Sequence, residues 1–423
     1  MNRQRGMTMV ELLVSLAVVM AILCAVTTAY LKLLRTYRTQ GRLAESYMAN
    51  LTGMEMLRYD IEMAGFGLPA SLGAVTYTEA SDNSVTYYNP ADLNDSPSNP
   101  PRALVMLNPK PGTNVPAATK SSAHNSDVLA IKSSAANITT ASKRWSMVIN
   151  PSGTPTVKLW GVTALDPVMD FTSATGDRFI ALNNTGVLQV NAGAWCYTFN
   201  TSSPTAGYYS NASAIGSPNA NQVSYMYGLD NSAGAHIMPF NRVDYYLDKI
   251  AADFPSSCAA STYTLYRSTI NQANGTLNKT PLVDCVRDFE VAFGLDTSSG
   301  ALPIVWQQTS PTAAQVQTQL REVRVFVLYQ EGLGNTSTSP GNASSNFSFS
   351  GTLNLGDQDI ANSLDPADYP ANTFQQYSSS PLAGTLSRGA LSTFTPTGAD
   401  LQYRWKILEM AVKPMNLLNL TTR

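Results

Sequence analysis

MNRQRGMTMVELLVSLAVVMAILCAVTTAYL, residues 1–31, is the stretch on which the reading of this chain turns. From Leu12 to Leu31 it carries no formal charge. Twenty helical residues at 1.5 Å each span about 30 Å, the hydrocarbon thickness of a bilayer. No second run of this kind occurs, so the sequence predicts one membrane segment at most. A cleaved secretory signal would have a shorter apolar core and small residues before the cut. Here the run is long, and Glu11 stands at its entrance. A lipoprotein signal would have a small residue before its cysteine, but Leu23 precedes Cys24. An ordinary single-span anchor accommodates the length and leaves Glu11 without a purpose.

The order of features before the run is more specific. Arg3-Gln4-Arg5-Gly6 is followed by Met7-Thr8-Met9-Val10-Glu11-Leu12-Leu13-Val14. This resembles the leader of type IV prepilins and pseudopilins: a short basic peptide ending in Gly, a glutamate five positions after the cut, then an apolar helix. The resemblance implies cleavage between Gly6 and Met7 by a prepilin peptidase and N-methylation of Met7. It also implies that Glu11 sets register during assembly. The family's usual first mature residue is Phe, so Met7 is a departure. A carboxylate at the edge of a membrane helix is costly to bury and usually has a partner. Cleavage would create a positive α-amine within one turn of Glu11. Glu11 then either pairs with an amine, its own or a neighbour's, or lies solvated among headgroups. One feature opposes this topology. Lys32, Arg35, Arg38 and Arg42 follow the span and outnumber Arg3 and Arg5, which by the positive-inside rule alone would put the C-terminal side in the cytoplasm.

The helix is expected to continue past the membrane, from Thr8 to Ala64. Tyr37, Ala44, Tyr47, Leu51, Met54, Leu57 and Ile61 recur on one face. Gly65-Phe66-Gly67-Leu68-Pro69 is a stop. The predicted organisation is a leader, residues 1–6; a membrane or filament-core half-helix, 7–31; an amphipathic half-helix, 32–66, packing its stripe on the downstream domain; and that domain itself, β-rich and globular, 67–423. The fold class is α+β, a long N-terminal helix packed on a mainly antiparallel sheet.

Candidate strands are Val128–Lys132, Val157–Trp160, Phe179–Leu182, Val243–Leu247 and Tyr263–Tyr266. Phe289–Leu295 alternates, with Phe289, Val291, Phe293 and Leu295 on one face. Pro311–Arg321 reads as a short helix, Val323–Tyr329 as a strong strand, and Tyr403–Val412 as a final strand. Loop-rich insertions are expected near 202–235 and 332–397, where Ser, Asn, Gly, Pro and Thr dominate.

Patches along the chain resemble PilW-type minor pilins, which are related to the J-type pseudopilins of type II secretion. They are Arg58-Tyr59-Asp60-Ile61-Glu62-Met63-Ala64-Gly65-Phe66-Gly67, Ser126–Leu129, Leu282–Thr297, Val323–Leu328 and Tyr403–Lys406. The resemblance implies a low-copy subunit that primes pilus assembly or sits near the tip. Its partners would be other pilins through the N-terminal helix, the prepilin peptidase and the inner-membrane assembly platform. It would be a single-pass inner-membrane protein with a periplasmic domain, later part of a filament. A pseudopilin of type II secretion and a tip adhesin binding through the insertions are the competing readings.

Composition supports export. Of 423 residues, 13 % are charged and 44 % hydrophobic, and the net charge is −2. Such a surface is built from Ser, Thr, Asn and Gln and has no footprint for nucleic acid. Outside the span lie Cys196, Cys258 and Cys285, an odd number, so at most one bridge forms among them. Cys258 with Cys285 is favoured because both flank the same candidate strands. No enzyme, cofactor or metal is expected. His124 and His236 have no ligand spacing, and P-loop, G-x-S-x-G and C-x-x-C patterns are missing. Asp357, Asp359, Asp365 and Asp368 are the best acidic cluster, without a full calcium-loop pattern.

Overall fold

The computed structural model describes residues 8–107 without 83 and 86, 126–149, 156–161, 166–172, 176–199 without 192, 208–209, 223–252 without 232 and 233, 254–296, 304–332 without 308, 353–355 and 392–418. Helix α1 runs Met9–Glu62. Two short helices come much later in the chain, α2 at Ala313–Thr318 and α3 at Met415–Leu418.

The domain is built on an antiparallel sheet. Its strands lie in the order β1 (Leu104–Leu107), β2 (Val128–Ser133), β9 (Asn241–Asp248), β10 (Tyr263–Ile270), β11 (Leu277–Asp296), β13 (Leu320–Glu331) and β16 (Arg404–Val412). Strand β12 (Ile304–Gln307) pairs with the end of β11. Alternation explains one face. Leu129 and Ile131, Val243 and Tyr245, Phe289, Val291 and Phe293, and Val323, Val325 and Val327 share a core with Met54, Leu57 and Ile61 of α1. The other face is also covered. Ala292, Phe326 and Leu328 pack with Trp306, Phe394 and Trp405, while Tyr246 and Tyr266 pack with Val85, Tyr88 and Leu93.

Strand β11 is much longer than the alternating segment Phe289–Leu295. It reaches back to Leu277, where Asn278, Thr280 and Pro281 are exposed and carry no apolar pattern. Its first half pairs with β10, its second with β13. Cys285 sits at that change of partner with φ +55, a left-handed conformation uncommon for a side-chain-bearing residue. A disulfide joins it to Cys258, with 5.0 Å between the Cα atoms. Closing a loop of sequence separation 27 contributes about 3.5 kcal/mol in the chain-entropy account.

A second antiparallel sheet is inserted between β2 and β9. Its order is β6 (Tyr197–Thr198), β5 (Arg178–Asn183), β8 (Val223–Gly228), β3 (Trp145–Ile149), β4 (Thr156–Lys158) and β7 (Tyr208–Tyr209). Val148, Val157, Phe171, Phe179, Phe199 and Met226 form its own core. Ile180 and Leu182 pack toward the larger sheet, against Tyr77, Met238, Phe240 and Ile270.

Three expectations are corrected. The segment 202–235 is not only loop: it supplies β7 and β8, and β8 is central to the second sheet. Its Ser224, Met226 and Gly228 are buried in alternation, a pattern hidden by the polar residues around it. The segment 332–397 contributes β14 (Leu353–Leu355) and β15 (Ser392–Phe394), which pair with each other. Residues 333–352 and 356–391, with Asp357, Asp359, Asp365 and Asp368, lie outside the described residues, as does His124. Finally, the predicted helix stripe is only partly used. Met54, Leu57 and Ile61 are buried, but Tyr37 is 75 %, Tyr47 51 % and Leu51 45 % exposed. Burial deepens only toward the end of α1, where the sheet lies directly beneath it; Tyr47, close to Tyr329 and Lys406, stays half-exposed at its edge.

Candidate functional site

The site is α1 itself: a free apolar end, a neck and an anchored end. The free end begins with a capping box. Thr8 Oγ1 accepts from the Glu11 backbone N–H at 3.4 Å, and Glu11 Oε2 accepts from the Thr8 backbone N–H at 2.9 Å. The Thr8 hydroxyl also lies 3.0 Å from Glu11 Oε2. This reciprocal pair satisfies donors that a helix start otherwise leaves open, and a carboxylate there suits the helix dipole. Gly6 and Met7 lie outside the described residues. Thr8-Met9-Val10-Glu11 is the sequence signature of such a cap, so the residue order alone carries this role of Glu11.

Met9–Leu34 is long and apolar enough to cross a membrane, and none of it is buried. Its serine and threonine hydroxyls bond inside the helix: Ser15 to the Leu12 carbonyl at 2.9 Å, Thr27 to Leu23 at 2.7 Å and Thr28 to Cys24 at 2.9 Å. Satisfied internally, they add little cost in a hydrocarbon environment. Cys24 is exposed on this segment and is unbridged, and Cys196 also stays reduced. Burial pushes the Cys196 thiol up to about 12.

The anchored end is set by two kinds of contact. Leu57 and Ile61 are fully buried, each worth about 1.5–3 kcal/mol. At Gly53, a Cβ would come 2.8 Å from the Leu282 carbonyl oxygen, so only glycine lets α1 lie this close to β11. Between them, Asp60 enters the core. Its Oδ2 accepts from Arg267 Nε at 2.8 Å and from the Tyr245 hydroxyl at 2.5 Å. Arg267 also donates to the Ala136 carbonyl at 2.8 Å. Burial pushes the Asp60 carboxyl above its ordinary range despite Arg267 and Tyr245. The same interior pushes the Tyr245 phenol up.

The exit from α1 is clamped as well. Gly65 and Gly67 hold φ +81 and +64. The Gly65 N–H donates to the Lys132 carbonyl at 3.0 Å, and the Ser134 N–H to the Phe66 carbonyl at 2.7 Å. Phe66 meets Tyr227 of the second sheet edge-on at 5.2 Å.

On the opposite face of the larger sheet, a buried ionic network pins the segment that comes after α1. Lys132 Nζ lies 2.7 Å from both Glu79 and Asp95. Arg242 bonds Glu79 at 3.0 Å and Asp244 at 2.7 Å, and Arg102 bonds Asp95 at 2.7 Å. Burial raises the Asp95 carboxyl, but Lys132 and Arg102 outweigh it and hold the group low. Nothing in the sequence joins these residues, since Glu79 and Arg242 are 163 positions apart. The second histidine, His236, is buried with Nε2 2.6 Å from the Asp230 carbonyl, and burial lowers its pKa. Among the described residues no group of three His, Cys, Asp or Glu is arranged to hold a metal ion.

Two family descriptions match. The prokaryotic N-terminal methylation motif covers residues 1–27. Type IV pilus-assembly protein W covers residues 245–376, which begin in β9 and take in β10, β11, β12, β13 and β14. No match is found among curated proteins or among solved structures.

Proposed function

We propose that this chain, a type IV prepilin-like minor pilin that takes part in pilus assembly, is cut between Gly6 and Met7, methylated at Met7 and anchored by α1 in the inner membrane with its domain in the periplasm. A prepilin peptidase makes the cut, and the assembly platform then lifts the subunit out. Its helix packs among those of other pilins. Its task is mechanical, and no catalytic step is assigned to it. The observation that carries this reading is the exposed apolar helix Met9–Leu34, whose first 19 residues lie within the matched methylation motif.

In this reading Glu11 works as a two-state group. In the isolated chain its carboxylate is folded onto Thr8. In the filament a cation, the α-amine of a neighbouring Met7, competes for the same oxygens. Both bonds are charge-assisted, but the amine brings a full opposite charge where the Thr8 N–H and hydroxyl bring only dipoles, and the attraction grows away from water. The exchange therefore favours the assembled state without leaving the helix start uncapped in the stored one.

Intact-mass and N-terminal analysis of the protein from its own membranes tests the route. A chain that begins at N-methylated Met7, and that keeps Met1 when the peptidase is removed, is the expected result. A chain beginning at Met1 with the peptidase present, or near Tyr30, overturns it. Glu11→Gln should process normally and fail to enter filaments.

A further inference from the structure

Between the apolar span and the anchored end lies a neck in which no described side chain is buried. Burial of α1 begins at Asn50, whereas Leu33, Tyr37 and Met48 are exposed and Tyr47, half-exposed, lies close to Tyr329 and Lys406 of the sheet. From Lys32 to Asn50 the chain carries Lys32, Arg35, Arg38 and Arg42 against one carboxylate, Glu45. At 3.6 residues per turn the four basic positions fall within about 120° of the helix circumference. They share the side of α1 that, further along, carries Gly53, Leu57 and Asp60 onto the sheet.

We propose that this basic stripe binds the anionic phospholipid headgroups of the membrane leaflet at which the span ends. With Leu12–Leu31 filling the hydrocarbon, Lys32 stands at phosphate level, and Arg35 and Arg38 lie about 5 and 9 Å above it. Arg42, about 15 Å out, stays roughly 12 Å above that level at an ordinary tilt near 20°, so it adds to the attraction across about a Debye length and not by contact. Juxtamembrane cations of this density attract anionic lipid, and arginine suits phosphate oxygens through its planar fork. The tilt has a direction. Because the domain docks on the same side of α1, the lipid contact draws the domain down over the membrane. Extraction into a filament must then break the stripe from the lipid. This also gives the four cations a role on a side where the positive-inside rule does not expect them. The inference rests on the membrane-anchored reading of α1 and is independent of cleavage at Gly6.

The test uses the full chain in mixed micelles of phosphatidylcholine and phosphatidylglycerol, with bound lipid counted by native mass spectrometry. Insertion into phosphatidylcholine nanodiscs is checked first, and failure there would defeat the membrane reading itself. We expect phosphatidylglycerol to bind at least about tenfold tighter than phosphatidylcholine, with the preference falling as salt rises. The triple variant R35Q/R38Q/R42Q should lose that preference. R35K/R38K/R42K should keep most of it, and R58Q, at the anchored end, all of it. Equal binding of the two lipids by the wild type, or an unchanged preference in the glutamine variant, overturns the proposal. So does a glutamine variant with intact lipid preference that no longer co-purifies with other pilins, which would assign the stripe to an acidic protein partner.

Discussion

Residues 9–48 and 50–62 belong to one unbroken helix, yet different forces hold them in place. The first part buries no side chain among those described, and near its end Tyr47 lies half-exposed close to Tyr329 and Lys406 of the sheet. Its hydrogen bonds are its own, and its apolar surface waits for lipid or for other helices. The second part has an aspartate, a glycine and three large apolar residues fitted to a sheet. The difference teaches that helicity and docking are separable here. The helix end decides where the domain sits, and the helix start decides where the whole subunit goes. Changes in one part should therefore leave the other's behaviour intact.

The largest effect should come from Asp60→Ala. It leaves the Arg267 guanidinium buried without its carboxylate and should cost about 3–5 kcal/mol, read as a fall in the thermal midpoint of the full chain in detergent. Membrane insertion should not change; if it does, the two parts are coupled. The pH profile sharpens the point. The folded Asp60 carboxyl is raised above 3.8, so its contribution grows as pH is lowered toward 3.8 and is lost as pH rises through the raised value. Asp95 runs the other way. Its folded carboxyl is held below 3.8, so its contribution is present above 3.8 and is lost as pH falls through the lower value. Unfolding curves across this range should lose the first trend in Asp60→Asn and keep the second.

Next in size is Gly53→Ala. Its Cβ would meet the Leu282 carbonyl at 2.8 Å and Val283 Cγ2 at 2.9 Å, so α1 must lift from β11, at about 1–3 kcal/mol. Gly41→Ala is the matched control. Nothing lies within 4 Å of Gly41, so the alanine should strengthen the neck by about 1 kcal/mol of helix propensity. Slower amide exchange confined to the neck would check it, and a loss of global stability would break the comparison. The smallest effect belongs to Arg58→Ala. Its pairs with Glu55 and Glu62 are largely exposed, and the melting midpoint should move by less than about 1 kcal/mol in equivalent stability.

How much of this is legible in the sequence depends on whether the signal is local. The apolar span, the glycine stop at Gly65 and the alternating Phe289–Leu295 are patterns of neighbours, and each stands in the structure where the pattern puts it. The cap at Thr8 and Glu11 is equally local. Strand β8 escapes because Ser, Asn, Gly and Pro around it mask a three-residue alternation. The first half of β11 escapes because its pairing to β10 is made by backbone, and at its start Asn278, Thr280 and Pro281 stay exposed. The network of Glu79, Asp95, Lys132, Arg242 and Asp244 has no sequence signal at all. Charged residues predict solvent until the fold brings their partners to them. Asp60 is the instructive middle case. It stands on the buried face of a helix, where a lone carboxylate asks for a cation, but only the fold names Arg267.

The insertion of the second sheet between β2 and β9 has a kinetic consequence. These strands are neighbours, with Leu129 opposite Tyr245, yet residues 134–240 lie between them. Closing so long a loop from an open chain is slow, because its entropy is spent before any contact repays it. A compact insert shortens the path. The second sheet should therefore gain amide protection first in pulse-labelled refolding, and the pairing of β2 with β9, on which the seat for α1 depends, should come after it. A subunit held in a membrane by its first helix would then complete its domain from the middle of the chain outward.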